Sequence, residues 1–323
     1  MKTNIVFFSV TDFCNARCKT CSFWKTKKPT YPLSDPKQLA KAIRTKLDCG
    51  YLHITGGEPL TYPQIIEFIT AAKAQGMVVQ LMTNGYLLNE AKIKKLAKAK
   101  LDLIGFSVDH YDEAVVYANR KLPKLLQKLR HNLSILKSTN ITTYAGITLA
   151  KHNFNELEKT AQFAIDMGFD CIYFSLPVSL HGTFKLGNND NDSIDFTDAQ
   201  MIQAVNTIIE LKKKHGNKVT HNMEFLKEMK NFYAKQKQTL PCKAGQNLFY
   251  IDNHLEVYDC MVKETKLGKI TGQVKRLKNI TCYDCPLQCN REGSMFFYGF
   301  RSIPFYIHHI INPHNWKLIK NLA

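Results

Sequence analysis

The sequence predicts an α/β fold: a partial (β/α)6 TIM-like barrel followed by a small, cysteine-rich C-terminal domain. Three observations predict it. Short apolar runs of strand length alternate with longer stretches of helical periodicity through six units that end near residue 178. The residues richest in chemistry stand where those apolar runs stop, at the C-terminal strand ends where α/β proteins place their sites. Beyond residue 241 the composition changes, and five of the ten cysteines fall between Cys242 and Cys289.

Taken in order, Ile5-Val6-Phe7-Phe8-Ser9-Val10 is a buried strand, and it delivers Cys14, Cys18 and Cys21 in a CxxxCxxC spacing on the loop that follows. Three thiolates so close together can hold three irons of a [4Fe-4S] cube and leave the fourth iron open. Zinc or incidental thiols are the alternative on spacing alone, although zinc usually takes a fourth protein ligand. A helix is predicted over 35–47, with Ser34 or Asp35 as its cap, and a second strand over 51–55 runs into Gly56-Gly57-Glu58-Pro59. Glycine admits close backbone approach there, and the carboxylate can hold an ammonium group. Helix 63–74 starts at its proline and stops near Gly76, and strand 78–82 leaves through Thr83-Asn84-Gly85. Helix 90–99, strand 103–108, helix 123–137, strand 143–149, helix 155–167 and strand 171–178 complete the units, with further helices over 197–214 and 223–237. Right-handed crossovers between parallel strands would wrap them into a three-quarter barrel with both motifs at one mouth. The polar stretch 187–193 is a surface loop or a cover for that mouth.

The cysteine triad after the first strand and the Gly-Gly-Glu-Pro segment ending the second together resemble the radical S-adenosylmethionine (SAM) superfamily. The resemblance implies that Cys14, Cys18 and Cys21 ligate a [4Fe-4S] cluster and that Gly56, Gly57, Glu58 and Pro59 grip the amino group of the SAM methionine. It further implies that Ser107 and Asp109 contact the SAM ribose or methionine, and that Asn153 borders SAM. For Asp109 the local alternative is a cap on the following helix. One departure is Thr20, where the family usually has an aromatic residue before the third cysteine.

In the C-terminal part, Cys242 is followed by a hairpin over 248–258, then Cys260, then Cys282, Cys285 and Cys289. Four of these thiols could ligate a cluster or a zinc ion, and spacing does not separate the two. The arrangement resembles the twitch domain, the one-cluster relative of the SPASM extension. That resemblance implies an auxiliary [4Fe-4S] cluster on Cys242, Cys260, Cys282 and Cys285, with Cys289 a fifth thiol nearby or an alternative ligand. Leu255 departs from it, standing where the pattern expects glycine. The expected domains are 1–238, 239–294 and an aromatic, basic tail over 295–323, which packs across the barrel's open side or seats on a membrane surface or a partner.

The chain has 323 residues, 45% hydrophobic, with 44 Lys plus Arg against 27 Asp plus Glu for a net charge of +17. That length supports a sizeable core. The lysines concentrate on helical faces, such as Lys92, Lys94, Lys95 and Lys98, which makes them solvated surface or a field for an acidic partner. Met1-Lys2-Thr3-Asn4 enters the first strand directly and no apolar run reaches membrane-span length, so a cytoplasmic protein with reduced thiols is expected, with peripheral membrane attachment through the tail as the variant. The expected function is a radical SAM enzyme, oxidoreductase-like. It would draw electrons from a flavodoxin- or ferredoxin-type donor and act on an anionic small molecule, a sugar, a lipid-linked intermediate or a peptide. The rivals are an RNA-modifying radical SAM enzyme, with no appended RNA-binding domain in its favour, and a non-catalytic iron-sulfur carrier or sensor.

Overall fold

The computed structural model describes residues 3–178, 192–277, 282–283 and 285–298. The stretch 187–193 lies outside them up to residue 191, and so does the tail from residue 299 onward. Six strands, β1 (Asn4–Ser9), β2 (Cys49–Thr55), β3 (Val78–Thr83), β4 (Leu103–Ser107), β5 (Thr142–Thr148) and β6 (Cys171–Ser175), pair in parallel in chain order. Between them run α1 (Pro36–Lys46), α2 (Ile65–Ala74), α3 (Glu90–Lys98), α4 (Glu113–Arg120), α5 (Leu125–Leu136) and α6 (Leu157–Met167). This is the predicted α/β architecture of strand-helix units forming a partial barrel.

Local chemistry sets the helix starts. Asp35 accepts hydrogen bonds from the Lys37 and Gln38 amides ahead of Pro36, and Leu39, Ala40 and Ile43 form the buried face of α1. Asn89 caps α3 and Asp112 caps α4. The cap of α4 is therefore Asp112, three residues past Asp109.

Strand alternation sorts side chains between two compartments. Val6 and Phe8 of β1 face the helices, where Phe8 meets Phe68 edge-on at 5.4 Å between centroids. Ile5 and Phe7 face the barrel interior, where they join Leu248 and Tyr250. The interior is thus built from every second residue of each strand. Toward the C-terminal strand ends those residues are small and hydroxylated, Thr55, Thr148 and Ser175, which leaves room at that mouth.

Helices α7 (Asp198–His215), begun by a Thr197–Gln200 capping box, and α8 (Met223–Tyr233) follow. The expected helix over 223–237 stops earlier because Lys235 takes a left-handed conformation, φ 55°. The hairpin predicted near residue 250 is present as β7 (Leu248–Ile251) and β8 (Glu256–Tyr258), extended by β9 (Lys266–Lys269). Strand β7 lies parallel against β1, Phe7 opposite Tyr250, so the C-terminal strands continue the barrel sheet in the order β6-β5-β4-β3-β2-β1-β7-β8-β9. Helix α9 (Gln288–Ser294) then packs across the barrel. No helix among the described residues is long and apolar enough to cross a membrane.

Candidate active site

The loop carrying Cys14, Cys18 and Cys21 has little regular structure of its own and is held from outside. Its approach is stitched to the glycine pair: Gly57 N donates to Thr11 O and Glu58 N to Phe13 O, each at 2.8 Å. The contact is too close for any side chain. A Cβ on Gly57 would sit 2.1 Å from Phe13 O, and Gly56, at φ 125°, would place one 2.5 Å from Thr11 O. The glycines therefore join the two motifs before any ligand arrives.

Cys14, Cys18 and Cys21 line one cavity of about 220 Å³ together with Gly56, Gly57, Met82, Thr83, Asn84, Ser107 and Arg120. Donors from the loop and from beyond it meet the sulfurs. Ala16 N lies 3.4 Å from Cys14 Sγ, Asn84 Nδ2 lies 4.0 Å from it, and Arg120 Nη1 lies 3.4 Å from Cys18 Sγ. Burial pushes the Cys14 and Cys21 thiols up to about 12, and raises Cys18 against the pull of the Arg120 charge. Left alone they would be protonated at neutral pH; a coordinating iron removes the proton outright. Three thiols on the wall of one cavity, under N–H donors and beside a backbone surface stripped of side chains, are the kind of donor set that an iron-sulfur cluster with a small ligand next to it takes.

Of the residues expected to touch SAM, Gly56, Gly57 and Ser107 border this cavity. The others are turned into the protein and position the wall. Glu58 is fully buried and its carboxylate accepts from Leu60 N at 3.0 Å, Thr83 Oγ1 at 2.6 Å and Asn84 N at 2.8 Å. It clamps the end of β2 to the end of β3, and Pro59 begins the short turn behind it. Burial raises its pKa, opposed by those hydrogen bonds.

Asp109 pairs with Arg120, Oδ2 to Nε at 2.6 Å and Oδ1 to Nη2 at 2.7 Å, and accepts from Asn119 Nδ2 at 2.6 Å. Burial would raise this carboxyl, but the guanidinium outweighs it and holds the group below the usual range. Asp109 thus fixes the arginine that reaches Cys18. Asn153 donates to Asp109 O at 2.9 Å and Thr148 O at 2.8 Å, tying the exits of β4 and β5. Arg120 and Asn84 are the contacts that the sequence reading missed. The signal for the first was Asp112 followed by Glu113, a capped helix start that puts Arg120 in its last turn.

Residues 8–164 match the model of the Radical SAM superfamily. This segment belongs to the radical SAM superfamily. The chain is 25% identical over 167 residues to the AdoMet-dependent heme synthase of Methanosarcina barkeri, which covers 51% of this chain and 48% of that protein. It is 29% identical over 166 residues to the PqqA peptide cyclase of Ruegeria pomeroyi, 49% of this chain and 43% of that protein. The chain spans about half the length of the curated relatives it matches. In fold it is similar to Streptococcus suis SuiB bound to S-adenosylmethionine, with a TM-score of 0.64 at 14% identity over 89% of this chain and 67% of that one. It is similar also to anSMEcpe with bound AdoMet, with a TM-score of 0.61 at 16% identity over 83% and 75%.

Beyond the radical SAM segment, Cys242 and Cys260 pack together with Cys282, and the charge of Cys285 is felt against all three. Cys242 N donates to Cys282 O at 2.8 Å, closing the knuckle. The sulfurs receive backbone donors, Ala244 N on Cys242 at 3.4 Å and Val262 N on Cys260 at 3.1 Å, and the Ser294 hydroxyl lies 3.9 Å from Cys242. Cys289, in the first turn of α9, lines the barrel interior and also borders the cavity of the first cysteine group, and burial pushes its thiol up to about 12.

Proposed function

We propose that the protein is a radical SAM enzyme with one auxiliary cluster of the SPASM/twitch type, carrying out a net oxidation of its substrate. The observation that carries the first part is the shared cavity of Cys14, Cys18, Cys21, the Gly56-Gly57 backbone and Ser107. When bound, the cluster supplies the electron that cleaves SAM to methionine and a 5'-deoxyadenosyl radical able to take a hydrogen atom from a substrate carbon. The chain's own part is to hold and orient. Arg120, fixed by Asp109, sets charge at Cys18; the Glu58 clamp keeps the glycine strip facing the cavity; Ser107 offers a hydroxyl beside it.

The second cysteine group supports the auxiliary cluster, because Cys242, Cys260, Cys282 and Cys285 would leave no iron open and so suit electron transfer over substrate binding. The electron donor is of flavodoxin or ferredoxin type. Anaerobically reconstituted protein is expected to turn SAM into 5'-deoxyadenosine under dithionite, and a Cys14→Ala/Cys18→Ala/Cys21→Ala variant to make none. 5'-Deoxyadenosine from that variant would retire the assignment.

A further inference from the structure

Below the cysteine cavity the barrel holds a second chamber of about 330 Å³. The two meet at a neck whose walls, Thr55, Met82, Thr148, Ser175, Gln288 and Cys289, border both. We infer that this chamber receives the reacting part of the substrate as an uncharged, largely apolar group carrying a hydrogen-bond acceptor for Tyr144. The inference rests on the reading just proposed and adds the chemical class of what is acted upon.

Charge decides the class. The protein's net charge is +17, yet among the described residues no lysine or arginine lines the chamber. The carboxylate among its described lining residues, Glu292, is already engaged by His221 Nδ1 at 3.0 Å, Asn222 N at 2.8 Å and Gln288 Nε2 at 3.2 Å. An ionised group placed inside would lose its water without gaining a counter-charge. Any anionic portion of the substrate must therefore stay outside, among the surface lysines. The walls are aromatic and aliphatic, chiefly Ile5, Phe7, Leu103, Tyr173 and Phe296.

The polar contact is also specified. Tyr51 donates its hydroxyl to Gln80 Oε1, and Gln80 Nε2 donates to the Tyr144 oxygen. With its oxygen occupied, Tyr144 aims its own proton at Met82 Sδ, 3.4 Å away, a weak acceptor. A substrate hydroxyl or carbonyl oxygen would take that proton in preference. Desolvation keeps His53 neutral, down to about 4, consistent with a chamber that tolerates no charge.

The test uses reconstituted protein with SAM and reads binding by ligand-observed NMR, independently of turnover. The probes are 4-ethylphenol and its anionic counterpart 4-ethylbenzoate. The phenol is expected to bind at least tenfold more tightly, to lose about tenfold in the Tyr144→Phe variant, and to lose all binding in Gly146→Leu, which fills the chamber from β5. Equal binding of the benzoate, no phenol binding up to its solubility, or phenol binding untouched by Gly146→Leu would each overturn the inference. Phenol binding that follows the expected pattern in protein that never cleaves SAM would instead leave the chamber standing and remove the proposed reaction.

Discussion

The two cysteine groups solve opposite problems. The first is compact in sequence, Cys14 to Cys21, but its loop is irregular, so remote residues must hold it: Gly57 and Glu58 from β2, Asn84 from β3, Arg120 from α4. The second is scattered from Cys242 to Cys285 and is gathered by the β7–β8 hairpin and α9, its sulfurs meeting Ala244 N, Val262 N and the Ser294 hydroxyl. The electrostatics differ in the same way. A guanidinium touches Cys18 directly, whereas Arg291 meets the Cys282 carbonyl at 3.3 Å, stacks over Tyr283 and acts on Cys242 only at a distance.

The sharpest way to break this comparison is to delete one group and watch the other. A Cys282→Ala/Cys285→Ala variant is expected to lose about half its iron while still cleaving SAM, which iron analysis and 5'-deoxyadenosine yield would show together. Full iron retention, or zinc in place of iron at that site, would reduce the second group to a structural knuckle.

Next in size is the buried pair behind Cys18. Arg120→Met strands Asp109, so unfolding free energy should fall by about 3–5 kcal/mol, with the electron paramagnetic resonance signal of the first cluster altered and that of the second unchanged. Adding Asp109→Leu should recover much of the stability but not the signal. If both signals move, the guanidinium does not distinguish the sites.

The smallest effect concerns Glu58. Because its carboxylate serves Leu60, Thr83 and Asn84 and does not border the cavity, Glu58→Gln is expected to cost about 1–3 kcal/mol in stability, with SAM affinity changed only modestly. A large loss of SAM affinity at unchanged melting temperature would mean that the carboxylate reaches the ligand directly.

Much of this was legible in the sequence because parallel strands buried on both faces leave continuous apolar runs, and Val78-Val79-Gln80-Leu81-Met82 or Leu103-Ile104-Gly105-Phe106 cannot easily be anything else. What escaped lacks an apolar stripe. The buried residues of α9 are Gln288, Asn290, Arg291, Glu292 and Ser294, a polar face paired with partners such as His221, Tyr250 and Gln238, and periodicity of hydrophobic residues finds no such helix. Strand β9, Lys-Leu-Gly-Lys, is short and lysine-flanked as sheet edges often are. The placement of Cys289 escaped for a related reason: spacing puts it beside Cys285, but Cys289 lies inside α9 and borders the barrel chambers, whereas Cys285 precedes the helix and is coupled to Cys242, Cys260 and Cys282. The direction of Glu58, Asp109 and Asn153 was invisible too, since a motif states which residues gather, not which of them face the ligand.

The pairing of β7 with β1 has a consequence for how the chain is made. Asn4 and Asn247, joined side chain to side chain at 3.0 Å, are 243 residues apart, so β1 is made long before the strand that covers its outer edge. Until then β1 offers unpaired backbone groups to any passing strand, the situation that invites misassembly during slow, non-local folding. The segment that completes the second cysteine group is thus also the one that seals the barrel's first edge. Truncation after α8 would leave a nascent protein sticky as well as incomplete.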